Sequence, residues 1–264
     1  MSTVVCTPVK NCALWLPRYL TQLEDLKGIS RIIFIYGDSE DSTLLILKNW
    51  IKKTRHSVEL FKEPSMQALT SAQIGAIYQD FQEIIRQSGK DEWILLADAD
   101  LMEIPSDTVE RLKTLNKDIV APYVWMRNCV PKLFYDSYVF RLKGYRYHPL
   151  RPPMGGGKPL QLDSVGTCFL VKRKVFLDVP YGDPYPHMKF CNDARTKDYE
   201  VWADPTTNVN HLDLTRFGIH HYPIEQLLNP GKPMQLVPFI ADDGKVVEDA
   251  NFSDELINAW VYGD

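Results

Sequence analysis

Apolar and polar residues follow two distinct patterns in the first half of the chain. Short, dense apolar runs predict strands buried in a sheet, and they occupy residues 4–6, 31–36, 58–61, 93–97 and 119–123. Between them apolar residues recur every three or four positions, which predicts helices over 13–26, 41–54, 71–88 and 107–115. This alternation indicates βαβ units, hence an α/β fold with a largely parallel sheet buried on both faces.

The second half of the chain has a less regular pattern of apolar residues. Residues 125–163 hold few regular apolar patterns and many Tyr, Arg, Pro and Gly, which predicts a long irregular excursion. Regular patterns return as a strand over 165–172, a helix over 188–197 and a strand from 200 that leads to His211. We predict one domain over 1–264, made of a first half (1–124), a second half (125–222) and a C-terminal tail (223–264) that wraps it.

Three polar residues stand where predicted strands end. Thr7, Asp38 and Asp98 each follow an apolar run directly. Ligands of open α/β sheets bind beyond the carboxyl ends of the strands, so these residues are expected to converge on one edge.

Composition and charge narrow the class of protein. Hydrophobic residues make up 45% and charged residues 24%, as in ordinary globular domains. The net charge of −4 gives no overall basic field for nucleic acid or anionic membrane. Five cysteines without a CxxC pair argue against a disulfide framework and structural zinc. With no signal sequence or apolar span recognisable, we expect a reducing, cytoplasmic location.

The acidic pair after the 93–97 run is the most informative motif. Asp98 and Asp100 flank one small residue, so their side chains face the same side. Their mutual repulsion is relieved by a hard divalent cation, and Mn²⁺ or Mg²⁺ takes carboxylates together with phosphate oxygens. An acidic turn that caps the next segment is the structural alternative. His211 ends a late strand and is a candidate third ligand, although a lone histidine is more often structural.

Several short motifs in a fixed order resemble a known group. They are Thr7-Pro8-Val9-Lys10-Asn11, Gly37-Asp38-Ser39, the 93–100 strand with its Asp-Ala-Asp end, 116–122, Asp163-Ser164-Val165-Gly166-Thr167 and the late His211. Together they resemble the Anp1-type family of fungal mannan-polymerase mannosyltransferases and its soluble bacterial and phage relatives. The resemblance covers roughly residues 3–212 and implies a GT-A fold, a nucleotide-sugar donor (UDP- or GDP-linked) and a divalent metal.

Residue roles follow from the resemblance by position. Thr7, Pro8 and Asp38 would line the nucleotide-base pocket within the nucleotide-sugar-binding first half. Asp98 would contact the ribose or a metal-bound water, and both Asp100 and His211 would ligate the metal. Asp163 and Gly166 would border the sugar and the acceptor. Beside the phosphates, Lys10 and Arg127 would add positive charge, or they are solvated surface residues.

The sequence departs from this group in two respects. It shows neither the membrane anchor nor the lumenal stem of the fungal enzymes. Many inverting relatives place an acidic pair where Pro186 and His187 stand, before Phe190-Cys191. A carboxylate base for the acceptor hydroxyl is therefore missing at that place, which favours a retaining mechanism. Asp163 or Asp193 are candidate substitutes, and His187 is a structural residue or an acceptor contact.

The acceptor is suggested by a stretch that mixes cations and aromatic rings. These residues are Tyr138, Arg141, Lys143, Tyr145, Arg146, Tyr147, His148, Arg151 and Lys158. They form either a solvated loop with packed tyrosines or a groove for an anionic acceptor such as hydroxymethylated pyrimidines in DNA. Trp125 and the tyrosines are equally suited to stack on a glycan or lipid-linked sugar. Trp125, Arg127, Arg146 and Tyr147 are the acceptor candidates.

Functions of other classes remain open. A nucleotidyltransferase shares this kind of sheet but would place a Gly-rich loop after the first strand, where Thr7-Pro8-Val9-Lys10-Asn11 has no glycine. A metal-dependent hydrolase usually gathers more His and Asp ligands. A non-catalytic module that binds a nucleotide or sugar would show no turnover.

Overall fold

The computed structural model of the 264-residue chain describes residues 2–63, 71–88, 91–126, 134–147, 157–182, 185–211, 239–240 and 246–247. The strands are β1 (Thr3–Val9), β2 (Arg31–Tyr36), β3 (Ser57–Lys62), β4 (Trp93–Ala97), β5 (Leu101–Glu103), β6 (Ile119–Met126), β7 (Arg141–Leu142), β8 (Tyr145–Tyr147), β9 (Leu160–Leu162), β10 (Cys168–Lys172), β11 (Val201–His211), β12 (Phe239–Ile240) and β13 (Val246–Val247). The helices are α1 (Leu16–Asp25), α2 (Thr43–Ile51), α3 (Ser71–Ser88), α4 (Thr108–Thr114), α5 (Arg173–Asp178) and α6 (Pro186–Arg195), with a 3₁₀ turn at Tyr135–Ser137.

A nine-stranded sheet forms the centre of the molecule. Its order is β3-β2-β1-β4-β10-β6-β11-β5, and β9 pairs with β11. Strands β1, β2, β3, β4, β6 and β11 run in one direction, whereas β10, β5 and β9 run against their neighbours. The carboxyl ends of six strands and the beginnings of β10 and β5 therefore lie along the same edge.

Alternating residues of the strands bury two separate cores. In β1 and β4 the odd positions, such as Val5 and Leu95, pack on one face with the apolar sides of α1, α2 and α4. The even positions of these two strands, such as Val4 and Ile94, pack on the other face with α3, α5 and α6. Every residue of β4 is buried, which is what its unbroken apolar run predicts for a central strand.

The main predictions from the hydrophobic pattern are confirmed. The fold is α/β with a mostly parallel sheet flanked by helices, and the bounds of β2, α3 and β4 agree with the predicted runs. Two details differ. Thr7 lies inside β1 rather than after it, because the strand continues through Pro8 to Val9. The 165–172 run enters the sheet as the antiparallel β10, and its direction cannot be read from an apolar run that is buried on both faces.

The excursion contains short elements that the pattern did not predict. The described part of 125–163 holds the 3₁₀ turn, the β7–β8 hairpin and β9. The hairpin forms a second, four-stranded sheet with β12 and β13 of the C-terminal tail. Arg127, His148 and Arg151, together with most of the tail, lie outside the described residues.

Two further expectations concern thiols and membranes. Cys6, Cys12, Cys168 and Cys191 are buried free thiols. Within the described ranges, no helix combines the length and apolar character that a bilayer-spanning segment requires.

Candidate active site

A short antiparallel strand brings the acidic pair and the late histidine together. The chain turns at Asp98–Asp100 directly after β4 and enters β5, whose first residue Leu101 pairs with His211 at the end of β11. Asp100 is thereby placed next to His211, and Asp100 Oδ1 lies 3.0 Å from His211 Nε2. The structure thus brings Asp100 and His211, the two candidate metal ligands, side by side at the edge of the sheet where Asp98 lies.

Aromatic rings hold these polar groups in place. The ring of Tyr135 stacks on His211 with 3.6 Å between centroids and 13° between planes. Tyr78 of α3 is buried and donates its hydroxyl hydrogen to Asp98 Oδ1 over 3.3 Å. Tyr78 in turn stacks on Tyr181 at 4.8 Å. Asp98 and His211 are thus oriented by side chains from elements far apart in sequence.

A third carboxylate, Asp136, belongs to the same corner. It lies in the 3₁₀ turn, is 2% exposed and accepts a hydrogen bond from the hydroxyl of Thr167. Its second oxygen, Oδ2, is buried and has no hydrogen-bond partner among the described residues. Burial raises the pKa of Asp136 to about 7, against the lowering effects of Thr167 and His211.

The acidic residues raise one another's proton affinity. Burial, followed by the charge of Asp100, raises the pKa of Asp98 to about 7, although His211 opposes the shift. Burial is thus the main reason why Asp98 and Asp136 hold their protons more tightly than exposed carboxyl groups do.

This donor set fits a hard divalent cation. The carboxylates of Asp98 and Asp100 and the imidazole nitrogen of His211 are groups that Mn²⁺ or Mg²⁺ accepts as ligands. Beside them lies the buried Asp136 Oδ2, which has no hydrogen-bond partner among the described residues. Within the described ranges, no three His, Cys, Asp or Glu side chains converge to hold a metal unaided. The remaining ligands would have to come from phosphate oxygens and water, as is usual where a metal bridges a diphosphate.

Two loops beside this corner are tied to each other. The N–H groups of Ala13 and Thr43 donate to Asp41, and the Cys12 N–H donates to Thr43 Oγ1 at 2.8 Å. Burial would raise the pKa of Asp41, but these hydrogen bonds outweigh it and lower the pKa. The loops after β1 and β2 therefore form one preformed wall.

The predicted nucleotide-pocket residues line this wall to different extents. Asp38 is exposed and lies 2.9 Å from Lys62 Nζ. Pro8 and Lys10 are partly buried, and a Cβ on Gly37 would lie only 2.9 Å from Lys10 Cδ, so the wall is closely packed there. Thr7 is fully buried, and its hydroxyl lies 2.6 Å from the Tyr19 hydroxyl, so it supports the wall from inside.

The acceptor candidates in the described region are mostly buried. Trp125 is 3% exposed and donates to Asn208 Oδ1, and Tyr147 is fully buried with its hydroxyl against that of Tyr123. Arg146 is 7% exposed and stacks its guanidinium on Tyr138. These side chains are therefore packed in the interior and do not form an exposed binding surface.

The predicted catalytic candidates are held by neighbours of opposite charge or by rings. Asp163 lies 2.8 Å from Arg195 and accepts the Gly144 N–H, and Asp193 pairs with Lys189 one helical turn away. His187 is packed edge-on against Tyr78, and burial lowers its pKa to about 4, so the ring is neutral at pH 7.

Sequence reasoning did not single out several residues of this corner. Tyr78 lies in the predicted 71–88 helix and belongs to no motif, and Asp136 stood in an irregular stretch without a motif. Tyr185 was also missed. It is 51% exposed, adopts a left-handed backbone (φ 58°) before α6, and lies 5.6 Å from the ring of Tyr138.

The family model described as Glycosyl transferase family 2 matches residues 4–179. The chain belongs to glycosyl transferase family 2. The match contains Asp98, Asp100 and Asp136, whereas His211 lies beyond it. No curated protein matches the sequence at a significant level.

The fold of this family 2 domain matches solved structures of GT-A glycosyltransferases. GalNAc-T7 with UDP, GalNAc and Mn²⁺ is 14% identical with a TM-score of 0.59, over 80% of this chain and 43% of that one. Mannosyltransferase PcManGT from Pyrobaculum calidifontis, with GDP-Man and Mn²⁺, is 12% identical with a TM-score of 0.56, over 98% and 69%. S. aureus TarS with UDP-GlcNAc is 11% identical with a TM-score of 0.54, over 81% and 59%.

These relationships establish the fold and the family. The family 2 chain spans about two fifths of GalNAc-T7 and three fifths of TarS. At identities of 11–14% the neighbours' ligands are properties of those proteins, and they do not by themselves assign a donor to this chain.

The raised pKa of Asp136 predicts a pH-dependent stability. Because the folded protein favours the protonated acid, its contribution to stability is complete below about pH 4 and declines as pH rises to about 7. Asp136→Asn removes this titration. In EDTA, the Tm of the variant relative to wild type is therefore expected to increase from pH 4 to pH 7.

Asp178→Asn is the control with the opposite sign. A hydrogen bond from Lys197 lowers the pKa of Asp178, so this variant should lose stability relative to wild type as pH rises from acid values. Tm differences for Asp136→Asn that do not change with pH would show that Asp136 is not desolvated in this way.

Proposed function

We propose that the protein is a metal-dependent glycosyltransferase that transfers a sugar from a UDP- or GDP-linked donor to an acceptor hydroxyl. The observation that carries the proposal is the pairing of Asp100 Oδ1 with His211 Nε2 at 3.0 Å, next to Asp98, in a family 2 domain. Two neighbours of the same fold hold Mn²⁺ together with UDP or GDP-mannose.

Different residues at the edge of the sheet would bind the metal, the ribose, the base and the phosphates. Asp100 and His211 would hold Mn²⁺ or Mg²⁺, which when bound neutralises charge on the leaving diphosphate. Asp98, held by Tyr78, is placed to accept from the ribose or from water. The wall formed by the loops after β1 and β2 offers Asp38 to the base, and Lys10 carries a positive charge toward the phosphates.

A direct test measures thermal stabilisation by UDP, GDP and their sugar conjugates, with and without Mn²⁺. Wild type should be stabilised by one nucleotide only when Mn²⁺ is present. Asp100→Ala should lose this stabilisation and all turnover, because the remaining edge groups do not replace its oxygen. Donor consumption with acceptor present gives the turnover.

Glu83→Ala is the matched control, since it removes the same charge from an exposed position of α3 where Glu83 pairs with Arg86. It should behave as wild type. An Asp100→Ala variant that keeps metal-dependent nucleotide binding would contradict the assignment. Nucleotide binding without turnover, with every acceptor offered, would instead favour the non-catalytic binding module.

Retention of the anomeric configuration is the finer part of the proposal. In the described region, the N-terminus of α6 carries Pro186 and a neutral His187 in place of a carboxylate base. Asp163 and Asp193 are engaged by Arg195 and Lys189. The resemblance to Anp1-type mannosyltransferases supports the same outcome.

Proton NMR of the first product formed decides this point. The anomeric coupling constant of the product should match that of the donor sugar. If the configuration is inverted, a base must be found, and Asp193→Asn would then be compared with Lys189→Met, which frees the Asp193 carboxylate without removing it.

The acceptor that we propose is a hydroxymethylated pyrimidine in DNA. Its support is a surface formed by Tyr185 and Tyr138, with the guanidinium group of Arg141 5.2 Å from the ring of Tyr138. Exposed aromatic rings stack on bases, and guanidinium groups attract phosphates. A base inside a duplex would first have to be flipped out, so single-stranded DNA should be the better substrate.

Tyr185→Ala tests this surface. The KM for hydroxymethylated single-stranded DNA should rise roughly ten-fold, consistent with about 1–3 kcal/mol for one base-aromatic stack. The KM for the sugar donor should not change, and Tyr145→Ala, an exposed tyrosine of the β7–β8 hairpin, serves as the control. Transfer only to glycans or lipid-linked sugars would replace DNA with those acceptors.

A further inference from the structure

Thr167 adopts a backbone conformation that its side chain disfavours. Its φ is 53°, in the left-handed region that β-branched residues almost never enter. Such a conformation costs on the order of 1–3 kcal/mol and persists only where the surroundings impose it. The residue before it is constrained too, because a Cβ on Gly166 would lie 2.7 Å from Val139 Cγ2.

The strained residue joins the acidic turn to the buried carboxylate. Across the antiparallel pair of β10 and β4, Cys168 lies opposite Ala97, so Thr167 comes next to Asp98. The carbonyl oxygen of Thr167 accepts the Asp98 N–H at 3.3 Å, and its hydroxyl donates to Asp136. One residue therefore connects Asp98 with Asp136 from opposite sides.

Asp136 in turn connects this link to His211. It lies beside Tyr135, whose ring stacks on the imidazole of His211. Its own carbonyl oxygen accepts the N–H groups of Val139 and Phe140 at 3.1 and 2.9 Å, so the 3₁₀ turn is internally braced. A continuous path thus runs from the backbone of Asp98 through Thr167 and the 3₁₀ turn to His211.

We propose that Thr167 and Asp136 are positioning residues that set the distance between the Asp98–Asp100 turn and His211 before metal and donor bind. The left-handed backbone of Thr167 directs its carbonyl oxygen to Asp98 and its hydroxyl to Asp136 at the same time. This inference rests on the proposed metal-dependent transfer, but it concerns geometry that exists without it.

Thr167→Val tests the link because it keeps the shape and the branching of the side chain and removes only the hydroxyl. The dissociation constant for Mn²⁺ alone, measured by the EPR signal of free Mn²⁺, should rise about 10–100-fold, as is typical for residues that orient metal ligands. Thr167→Ser keeps the hydroxyl and should bind Mn²⁺ as wild type does.

Asp136→Ala should weaken Mn²⁺ binding as much as Thr167→Val. The double variant should be no weaker than either single one, since both changes break the same hydrogen bond. Thr207→Val is the matched control, because Thr207 is buried and donates to the buried Asp204 in β11 in the same way. It should lower Tm without changing the affinity for Mn²⁺.

Metal-free crystal structures provide a readout that does not depend on activity. In Thr167→Val the Asp98 turn should shift and the distance from Asp100 Oδ1 to His211 Nε2 should change, while Thr207→Val leaves both as in wild type. An unmoved turn with unchanged Mn²⁺ affinity, or an equal loss of affinity in Thr207→Val, would overturn the proposal. If wild type binds no Mn²⁺, the proposed metal dependence fails, and the position of the turn alone decides this inference.

Discussion

The edge of the sheet is arranged around carboxyl groups that lie close together, two of which, Asp98 and Asp136, are desolvated by burial. Asp98, Asp100 and Asp136 share one corner, and two of them have pKa values raised to about 7. Histidine and tyrosine neighbours offset only part of this charge. In the proposed function, a divalent cation bound with a diphosphate would relieve this crowding of carboxyl groups. The cost to the empty protein and the proposed affinity for a metal would then have the same origin.

The mixed directions of the strands make this corner possible. In a purely parallel sheet only the carboxyl ends of strands would meet at this edge. Because β10 and β5 run the other way, their first residues lie there as well. The reversed β10 brings Thr167 to Asp98, and the reversed β5 brings Asp100 to His211. Both reversals occur in strands of five residues or fewer.

The sequence predicted what depends on local pattern. The strand before Asp98 and the spacing of the acidic pair indicated the carboxylates of the site. The α/β architecture followed from the alternation of strand-like and helix-like apolar patterns. His211 was a candidate ligand from its place at a strand end, and only the resemblance favoured it over a structural role, because its partnership with Asp100 depends on a three-residue strand that has no periodicity to detect.

Contacts between residues that are distant in sequence could not be predicted either, because short strands carry no detectable pattern. Strands of two or three residues, as in β7 and β8, do not reveal which tyrosines face inward, so Tyr147 stood among the acceptor candidates although it is fully buried. Asp136 and Tyr78 gain their roles from partners about 20 to 30 positions away, at Thr167 and Asp98. No propensity or motif carries information about such pairs.

The loops after β1 and β2 differ in construction from the region around Tyr185. Under the proposed function, this difference affects how the two substrates are recognised. On the proposed donor side, hydrogen bonds from backbone N–H groups to Asp41 and Thr43 fix two loops against each other, so this wall has its shape before a ligand arrives. On the proposed acceptor side, Tyr185 has a left-handed backbone conformation at the N-cap of α6 and lies near Tyr138 rather than near Asp41. Under the proposed function, changes around Tyr185 would therefore alter acceptor recognition while the hydrogen bonds of the donor wall stay as they are.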